Sequence, residues 1–451
     1  MGYRRIEVLT GSAGSLCTLL ILCTLLILLA GIPVLAQSNP EPANDQAAVI
    51  DRLLKRIDEM EASQQKMQAK IDQLIGAQAA VTVSPAPPTQ APAPVAQPAV
   101  AASVAPPEPV ASVVADEPDD HMHRLGPVEF QGFSDFDYGR AWFEKQPPGG
   151  LVGTPNSFGI GDLDLFTNTR ISDHWSVLAE LLITSDFTNE FGAELDRLLF
   201  TYKANDYFQI AFGKYNTALG YYPNAFHRAR YFMTATSRPI MYSDEDNGGI
   251  LPVHNIGITA TGKIPSGSLG LHWVAEVANG VAVDKAEPIQ NFADENNGKA
   301  VNLAVYARPS WLDGFQTGIS VYRDTLHPLN LPGVGQTIYT GHIVYVNSKL
   351  EWLNEASLLR HDLEGHISRS LTSYTQLSYA FGKFRPYFRY DYQNIPASDP
   401  IFGTLGRESG PSFGVYRHLS NYVVFKLQYG LLGERNKPSA NDLNAQLAYA
   451  F

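Results

Sequence analysis

Asn441–Phe451 reads NDLNAQLAYAF, and its alternation decides the fold. Leu443, Ala445, Leu447, Tyr449 and Phe451 fall on one face, and Asn444, Gln446, Ala448 and Ala450 on the other. A period of two means a strand with one apolar face and one polar or small face. The strand runs to an aromatic residue with no covering segment behind it. That predicts a sheet whose last strand closes against its first, so that no edge is left to cover.

Upstream, the same texture recurs from about Val128 as strand-like runs of ten or so residues. In VEFQGFSDFDYGRAWF, Phe130, Phe136 and Tyr138 lie opposite Glu129, Asp135 and Asp137. In GIGDLDLFTNTRI, Leu163 and Leu165 lie opposite Asp162 and Asp164. Fourteen further runs, from WSVLAELLI to the terminal strand, bring the expectation to about sixteen, an even number as bacterial outer-membrane barrels require. Their connections alternate. SDH, AND, PSGS, SWLDG, NSK, GK and HLSN are short. EKQPPGGLVGTPN, SDFTNEFG, residues 216–254, NGVAVDKAEPIQNFADENNGK, RDTLHPLNLPGVGQ, HDLEGHIS, NIPASDPIFGTLGRES and LLGERNKPSAND are long. Tight turns on one rim and long loops on the other are what a transmembrane up-and-down barrel shows, with the turns in the periplasm. Trp175, Tyr207, Phe208, Trp311, Phe315, Phe381, Phe384, Tyr422 and Phe451 cluster beside the short turns, where an interfacial girdle would lie.

Composition agrees. Of the 451 residues only 17% are charged, while Tyr and Phe number 22 each. Charged residues make up about 25% of a usual soluble chain. The formal net charge of -12 argues against a nucleic-acid partner, which needs a clustered basic face.

The N-terminal third has three textures. Residues 1–36 combine MGYRR, a long apolar run and Val34-Leu35-Ala36 before Gln37, the pattern of a cleaved secretory signal. Both cysteines, Cys17 and Cys23, lie within it, so the remaining chain has no disulfide framework, thiolate nucleophile or thiolate metal site. Residues 45–78 carry a heptad, with Ile50, Leu53, Ile57, Met60, Gln64, Met67, Ile71 and Leu74 at the a and d positions. A seam this narrow predicts a short periplasmic coiled coil that self-associates or binds a partner, with Gln64 setting register. Residues 79–118 form a Pro/Ala-rich linker that favours an extended spacer. The expected fold is therefore all-β over 128–451, a transmembrane antiparallel barrel preceded by a coiled coil and a linker.

This order of parts, with IAFGKYNTALG leading from a strand into the long insertion and RPYFRYDY near the C-terminus, resembles the outer-membrane porins similar to the phosphate-selective porins. The resemblance spans residues 128–451 loosely. It implies a trimeric pore, and that terminal Phe451 is the aromatic read by the barrel-assembly machinery. The chain departs from the phosphate-selective members in lacking a dense inward row of arginines or a lysine cluster; its inward positions carry carboxylates instead.

In a pore, selectivity comes from rings of charge and from a segment that narrows the lumen. NTALGYYPNAFHRARYFMTATSRPIMYSDEDNGGILPVH, residues 216–254, is the candidate for that segment, because connections this long are usually functional. It carries His227, Arg228, Arg230 and Arg238, then Asp244, Glu245 and Asp246. Opposed clusters of this kind would set a transverse field. The wall candidates are Glu129, Asp135, Asp137, Asp162, Asp164, Arg170, Glu180, Glu276, Arg385, Arg389, Asp391 and Lys426, all opposite the apolar stripe. No metal or cofactor is expected. The acidic run from Asp244 has Asn255 where a calcium loop needs its twelfth-position carboxylate, and the two histidines of Asp120-His121-Met122-His123 lie on an entry segment where such pairs are usually incidental. The function expected is passive diffusion of small hydrophilic solutes or ions through an outer-membrane channel. A tether joining that membrane to the cell wall, or to a periplasmic partner, through the coiled coil is the alternative. A barrel enzyme is the remote one, since no convincing serine–histidine pairing stands out.

Overall fold

The computed structural model describes residues 123–125, 128–143, 156–185, 191–226, 230–243, 249–283, 294, 296–434 and 439–451. The signal, the heptad seam, the linker and the Asp120-His121-Met122 run lie outside these residues.

Strands account for nearly all of the described chain. In order they are β1 (His123–Leu125), β2 (Val128–Phe143), β3 (Ser157–Arg170), β4 (Trp175–Ser185), β5 (Phe191–Asn205), β6 (Phe208–Asn216), β7 (His254–Ile264) and β8 (Leu271–Ala278). There follow β9 (Ala300–Ala307), β10 (Phe315–Leu326), β11 (Val334–Val346), β12 (Leu350–Leu363), β13 (His366–Tyr379), β14 (Phe384–Asn394), β15 (Arg407–His418), β16 (Val423–Glu434) and β17 (Ala440–Ala450). From β2 on, each strand pairs antiparallel with the next, and β17 returns to β2 with Ala448 opposite Asp135. The sixteen long strands thus close into a barrel; the three-residue β1 pairs alongside β2.

Closure is sealed at the terminus. Phe451 N–H donates to the Gly132 carbonyl at 2.9 Å, and Gly132 N–H donates back at 2.8 Å. The Phe451 ring occupies the space a Cβ at position 132 would need, 2.4 Å from where it would sit, so only glycine fits beneath it.

The barrel is inside-out relative to a soluble protein. On β13, Ser368, Ser370, Thr372, Gln376 and Ser378 are buried, while the alternate Leu377 and Tyr379 are exposed. On β10, Gln316, Ser320 and Asp324 are buried and Ile319 and Val321 exposed. Around the ring, Phe136, Leu181, Phe200, Phe212, Ile258, Leu303, Trp352, Phe413 and Leu427 all face outward. An apolar band outside and a polar wall inside are the signature of a barrel solvated by lipid. Trp175, Tyr207, Phe208, Trp311, Phe381 and Phe384 are exposed at the short-turn rim, as expected of a girdle. Asn side chains close these turns: Asn347 Oδ1 accepts from the N–H groups of Lys349 (2.9 Å) and Leu350 (2.7 Å), and Asn205 does the same for Tyr207 (2.8 Å) and Phe208 (3.1 Å).

The long-loop rim differs from its sequence reading in one respect. HDLEGHIS, expected as a loop, is the tip of a continuous hairpin in which only Glu364 and Gly365 turn, with φ of 51° and 89°. Strands β5, β10, β11 and β15 likewise run several residues past their predicted ends. Beyond the apolar band both faces meet water, so alternation fades although the hydrogen-bonded ladder continues.

Candidate functional site

The connection from β6 to β7 folds back among the inward-facing side chains of the barrel. It turns at Gly220, whose φ of +80° takes the backbone against β12. A Cβ there would lie 2.1 Å from Tyr242 Oη and 2.2 Å from Glu355 Oε2. With no side chain in the way, the N–H groups of Tyr221 (2.6 Å) and Tyr222 (3.0 Å) donate to the Glu355 carboxylate. The hydroxyls of Tyr242 (2.8 Å) and Tyr374 (2.7 Å) complete its shell. Ahead of this latch, Ala218 N–H donates to Glu276 at 3.2 Å.

The second arm of the connection is held in the same way by other strands. Thr234 Oγ1 donates to Glu351 at 2.9 Å, and Thr236 N–H to Gln428 Oε1 at 3.3 Å. Ile240 N–H donates to Asp391 at 3.0 Å. Arg389 is paired with Asp391 at 2.7 Å and donates to the Ser237 carbonyl at 2.6 Å. Lys426 donates to the carbonyls of Arg230 and Ala235 and to Gln446 Oε1. Charge-assisted bonds of this kind are about twice as strong as neutral ones. Between these anchors the connection buries Leu219, Tyr222, Met233, Met241, Ile250 and Leu251 against Tyr322, Ile338, Leu353, Leu359 and Tyr374 of the wall. Burying one such aliphatic side chain contributes about 1.5–3 kcal/mol. The rings of Tyr222 and Tyr242 stack at 5.6 Å and 9°.

A different inner surface runs along β2–β5. Asp135, Asp164 and Glu180 are buried there, and Asp137 and Asp162 are half-buried. Glu180 is ion-paired with Arg197, which also lies over the Phe166 ring at 5.6 Å. Asp196 approaches His254 at 3.7 Å.

Of the wall residues expected from the sequence, Asp135, Asp164, Glu180, Glu276, Arg389, Asp391 and Lys426 are all buried on the inner face. Glu129 is half-buried on β2. Arg385 donates to Ser378 Oγ (3.2 Å) and the Ser348 carbonyl (3.0 Å) at the short-turn end. Arg170 stands at the rim, paired with the exposed Asp173 at 3.0 Å. Within the long connection, Arg230 Nη1 donates to the Thr236 carbonyl at 3.4 Å, and Arg238 is half-buried. His227, Arg228, Asp244, Glu245 and Asp246 lie outside the described residues.

Sequence reasoning missed Glu351, Glu355, Gln428 and the Asp196–Arg197 pair. In LEWLNEASLL the inward Leu353 and Leu359 mimic the lipid face, because they pack on the folded-in connection. The parity of Trp352, exposed on the outside, was the available signal. Also missed was Asp399, in the β14–β15 connection. Its carboxylate accepts from His361 Nδ1 (2.9 Å), Ser368 Oγ (3.0 Å) and the N–H groups of Ile401 (3.0 Å) and Phe402 (2.9 Å). Burial alone would raise its pKa, but the hydrogen bond and charge of His361 and these N–H groups outweigh burial and hold it at about 2.

No protein-family model matches this sequence, and no curated protein matches it. The fold does have solved counterparts. An anion-selective porin from Comamonas acidovorans superposes with a TM-score of 0.51 at 12% identity, over 72% of this chain and 99% of that one. OmpF of Salmonella typhi, solved in complex with daunomycin, gives 0.51 at 10% identity, over 72% and 98%. The likeness is one of fold: this barrel has the architecture of the outer-membrane porins.

Proposed function

We propose that the chain forms a water-filled channel across an outer membrane, through which small hydrophilic solutes or ions diffuse passively. The observation that carries this reading is the closed barrel with apolar residues outside and polar ones inside, crossed within by a connection hydrogen-bonded to β8, β12, β14 and β16. Such a connection narrows the lumen, with the acidic surface of β2–β4 within reach of the charge of Arg230. Opposed charges across a gap orient a passing dipole and bias ion flow. The role is non-catalytic and uses no cofactor.

Three finer features belong to the same proposal. The channel assembles as a homotrimer, as the resemblance to the phosphate-selective porins implies, although phosphate selectivity does not follow from this inner wall. Phe451 serves as the aromatic recognised by the barrel-assembly machinery. Residues 45–78 form a coiled coil on the periplasmic side, where the linker lets it reach the cell wall or a protein partner.

The test is the single-channel current of the purified protein in a planar bilayer under a salt gradient. The expected record is open-channel current in steps of three. A folded barrel that never conducts would sink the channel reading and favour a tether. Deleting residues 37–118 separates the two, because a pore survives the deletion and a tether does not.

A further inference from the structure

The short-turn rim of the barrel is unevenly charged. Under β3–β8 its cations are neutralised by neighbours: Arg170 is paired with Asp173 at 3.0 Å, and Lys203 and Lys263 share Asp206 at 3.1 and 3.0 Å. Under β11–β16 the pattern is different. Three successive turns and their flanks, residues 346–350, 379–385 and 417–423, hold Lys349, Lys383, Arg385, Arg417 and His418 and no Asp or Glu. None of these five is ion-paired among the described residues.

The cluster is built rather than scattered. Arg385 donates to Ser378 Oγ (3.2 Å) and to the Ser348 carbonyl (3.0 Å), which joins the second turn to the first. His418 N–H donates to the Lys383 carbonyl at 3.2 Å, which joins the third turn to the second. Arg417 lies over the Phe384 ring at 4.7 Å. The charges of Arg385 and Lys383 both reach the His418 ring. Lys349, Lys383, Arg417 and His418 are exposed. Like charges gathered on a rigid rim repel one another, and an anion laid across them relieves that repulsion.

The chain carries such an anion at the right place. Asp116-Glu117-Pro118-Asp119-Asp120 sets four carboxylates in five residues, ahead of the described barrel. The chain then enters at β1, where His123 stands opposite Phe130, just beyond the Gly132–Phe451 pairing that ends the β17 ladder. The next strand round is β16, and the Tyr422 carbonyl of its turn accepts from Ala450 N–H at 2.9 Å. The acidic run therefore arrives beside the β15–β16 turn. Seven residues, Asp116 to Met122, span about 23–25 Å when extended. Lys383 stands between three and four strand spacings from β1, roughly 15–20 Å. Lys203 is about as far round the other way, roughly four spacings, but Asp206 already answers its charge. Exposed ion pairs are individually weak, yet a short tether holds the segment at about millimolar effective concentration, so weak pairs suffice.

We infer that the acidic segment Asp116–Asp120 docks on the basic rim made by the β13–β14 and β15–β16 turns. The linker then leaves the barrel beneath β13–β16, and the positive charge of that mouth is masked by the chain's own carboxylates. Docking of this kind needs only the closed barrel and its short-turn rim, whether or not the barrel conducts.

The test is zero-length carbodiimide cross-linking of the purified full chain in phosphatidylcholine nanodiscs, read by mass spectrometry of the joined peptides. The reagent links a carboxylate to a lysine amine only where the two touch, and Lys203 and Lys263 on the same rim act as internal controls. Links from residues 116–120 to Lys383 are expected to exceed those to Lys203 and Lys263 severalfold. They should vanish in about 1 M salt, where the Debye length is about 3 Å. Arg417→Gln combined with Lys349→Gln removes two exposed charges that take no part in the coupling to Lys383, and should lower its yield. No link to Lys383, equal links to Lys383 and Lys203, or a yield indifferent to salt and to the double variant would overturn the inference. So would loss of the link on adding phosphatidylglycerol, which would give the rim to a lipid phosphate instead. Bilayer current measured separately keeps the readings apart: a conducting barrel without the link removes only the docking, and a linked barrel that never conducts removes only the channel.

Discussion

The inner wall along β12–β16 and the inner wall along β2–β3 are built on the same alternation, yet they use their carboxylates differently. On β12 and β14 every carboxylate oxygen has a partner. Glu351 accepts from Gln376 and Thr234, Glu355 takes four donors, and Asp391 accepts from Ile240 N–H and Arg389. On β2 and β3, Asp135 Oδ1 and Asp164 Oδ1 are buried without a protein partner. Inward charge thus has two uses in one barrel. The β12–β16 wall fixes the folded-in connection, while the β2–β3 wall holds buried carboxylate oxygens that no other protein group meets.

The sharpest way to break this division is Glu355→Ala. It leaves two backbone N–H groups and the Tyr374 hydroxyl without their acceptor in a buried place, while the Tyr242 hydroxyl keeps only the Leu219 carbonyl at 3.1 Å. Each such orphan costs about 1–3 kcal/mol. The first arm is expected to leave the wall, raising single-channel conductance and lowering the unfolding temperature. Glu355→Gln, which keeps an acceptor, should fall between wild type and Glu355→Ala. Unchanged conductance in Glu355→Ala would mean the latch does not set the width of the lumen.

A second comparison sets inside against outside on one strand. Lys426 and Leu427 are neighbours on β16, the first fully buried and bonded to the connection, the second 40% exposed on the outer face. Leu427→Arg places a charge on the lipid face, at a cost of about 2–4 kcal/mol if near the midplane. Urea unfolding in lipid vesicles should register that loss. An unperturbed midpoint would contradict the assignment of the outer face to lipid.

Leu427 also shows why so much of the fold could be read in the sequence. Hydrocarbon outside and water inside impose period two on every strand, so QLAYAF and VVFKLQYG declare their faces. The principle fails where a third environment intervenes. Inward Leu353, Ile338 and Tyr374 face neither lipid nor water but the apolar side of residues 219–251. A one-dimensional pattern cannot separate that core from the lipid face, so Glu351 and Glu355, which flank Leu353 on the same inward parity, are not legible as wall residues. The hairpin at Glu364-Gly365 was misread for the converse reason: with water on both faces there is no alternation to see. Asp399 could not be found at all, because its partners His361 and Ser368, opposite each other on β12 and β13, meet it only once the β14–β15 connection folds over them.

The β2–β3 side is sharpened by Asp135→Asn and Asp164→Asn together. Removing carboxylates whose Oδ1 atoms have no protein partner should move the reversal potential toward anions, whatever its starting sign. Glu351→Gln should move it far less, since that carboxylate is tied to Thr234 and Gln376 behind the connection. Equal shifts from both variants would erase the distinction between the two walls.

The smallest effect expected is pH-dependent and local to the β14–β15 connection, residues 395–406. Asp399 sits at about 2 in the folded protein against an ordinary 3.8. A carboxylate with a depressed folded-state pKa stabilises the fold fully above its unfolded value, and that contribution is lost as pH falls toward the folded one. Between neutrality and pH 4 the connection should therefore stay anchored through His361, Ser368 and the two backbone N–H groups. From about pH 3.8 down to about 2 the anchor weakens, and below that it is gone. Pepsin, active across this window, should cut near Phe402 and Leu405 increasingly as pH falls, after allowance for its own pH profile on an unfolded substrate. Asp399→Asn, which no longer titrates, should be cut at a rate that follows the enzyme's profile alone. If wild type and variant give the same corrected curve, the charge of Asp399 does not hold the connection, and the hydrogen bonds around it are incidental to its packing.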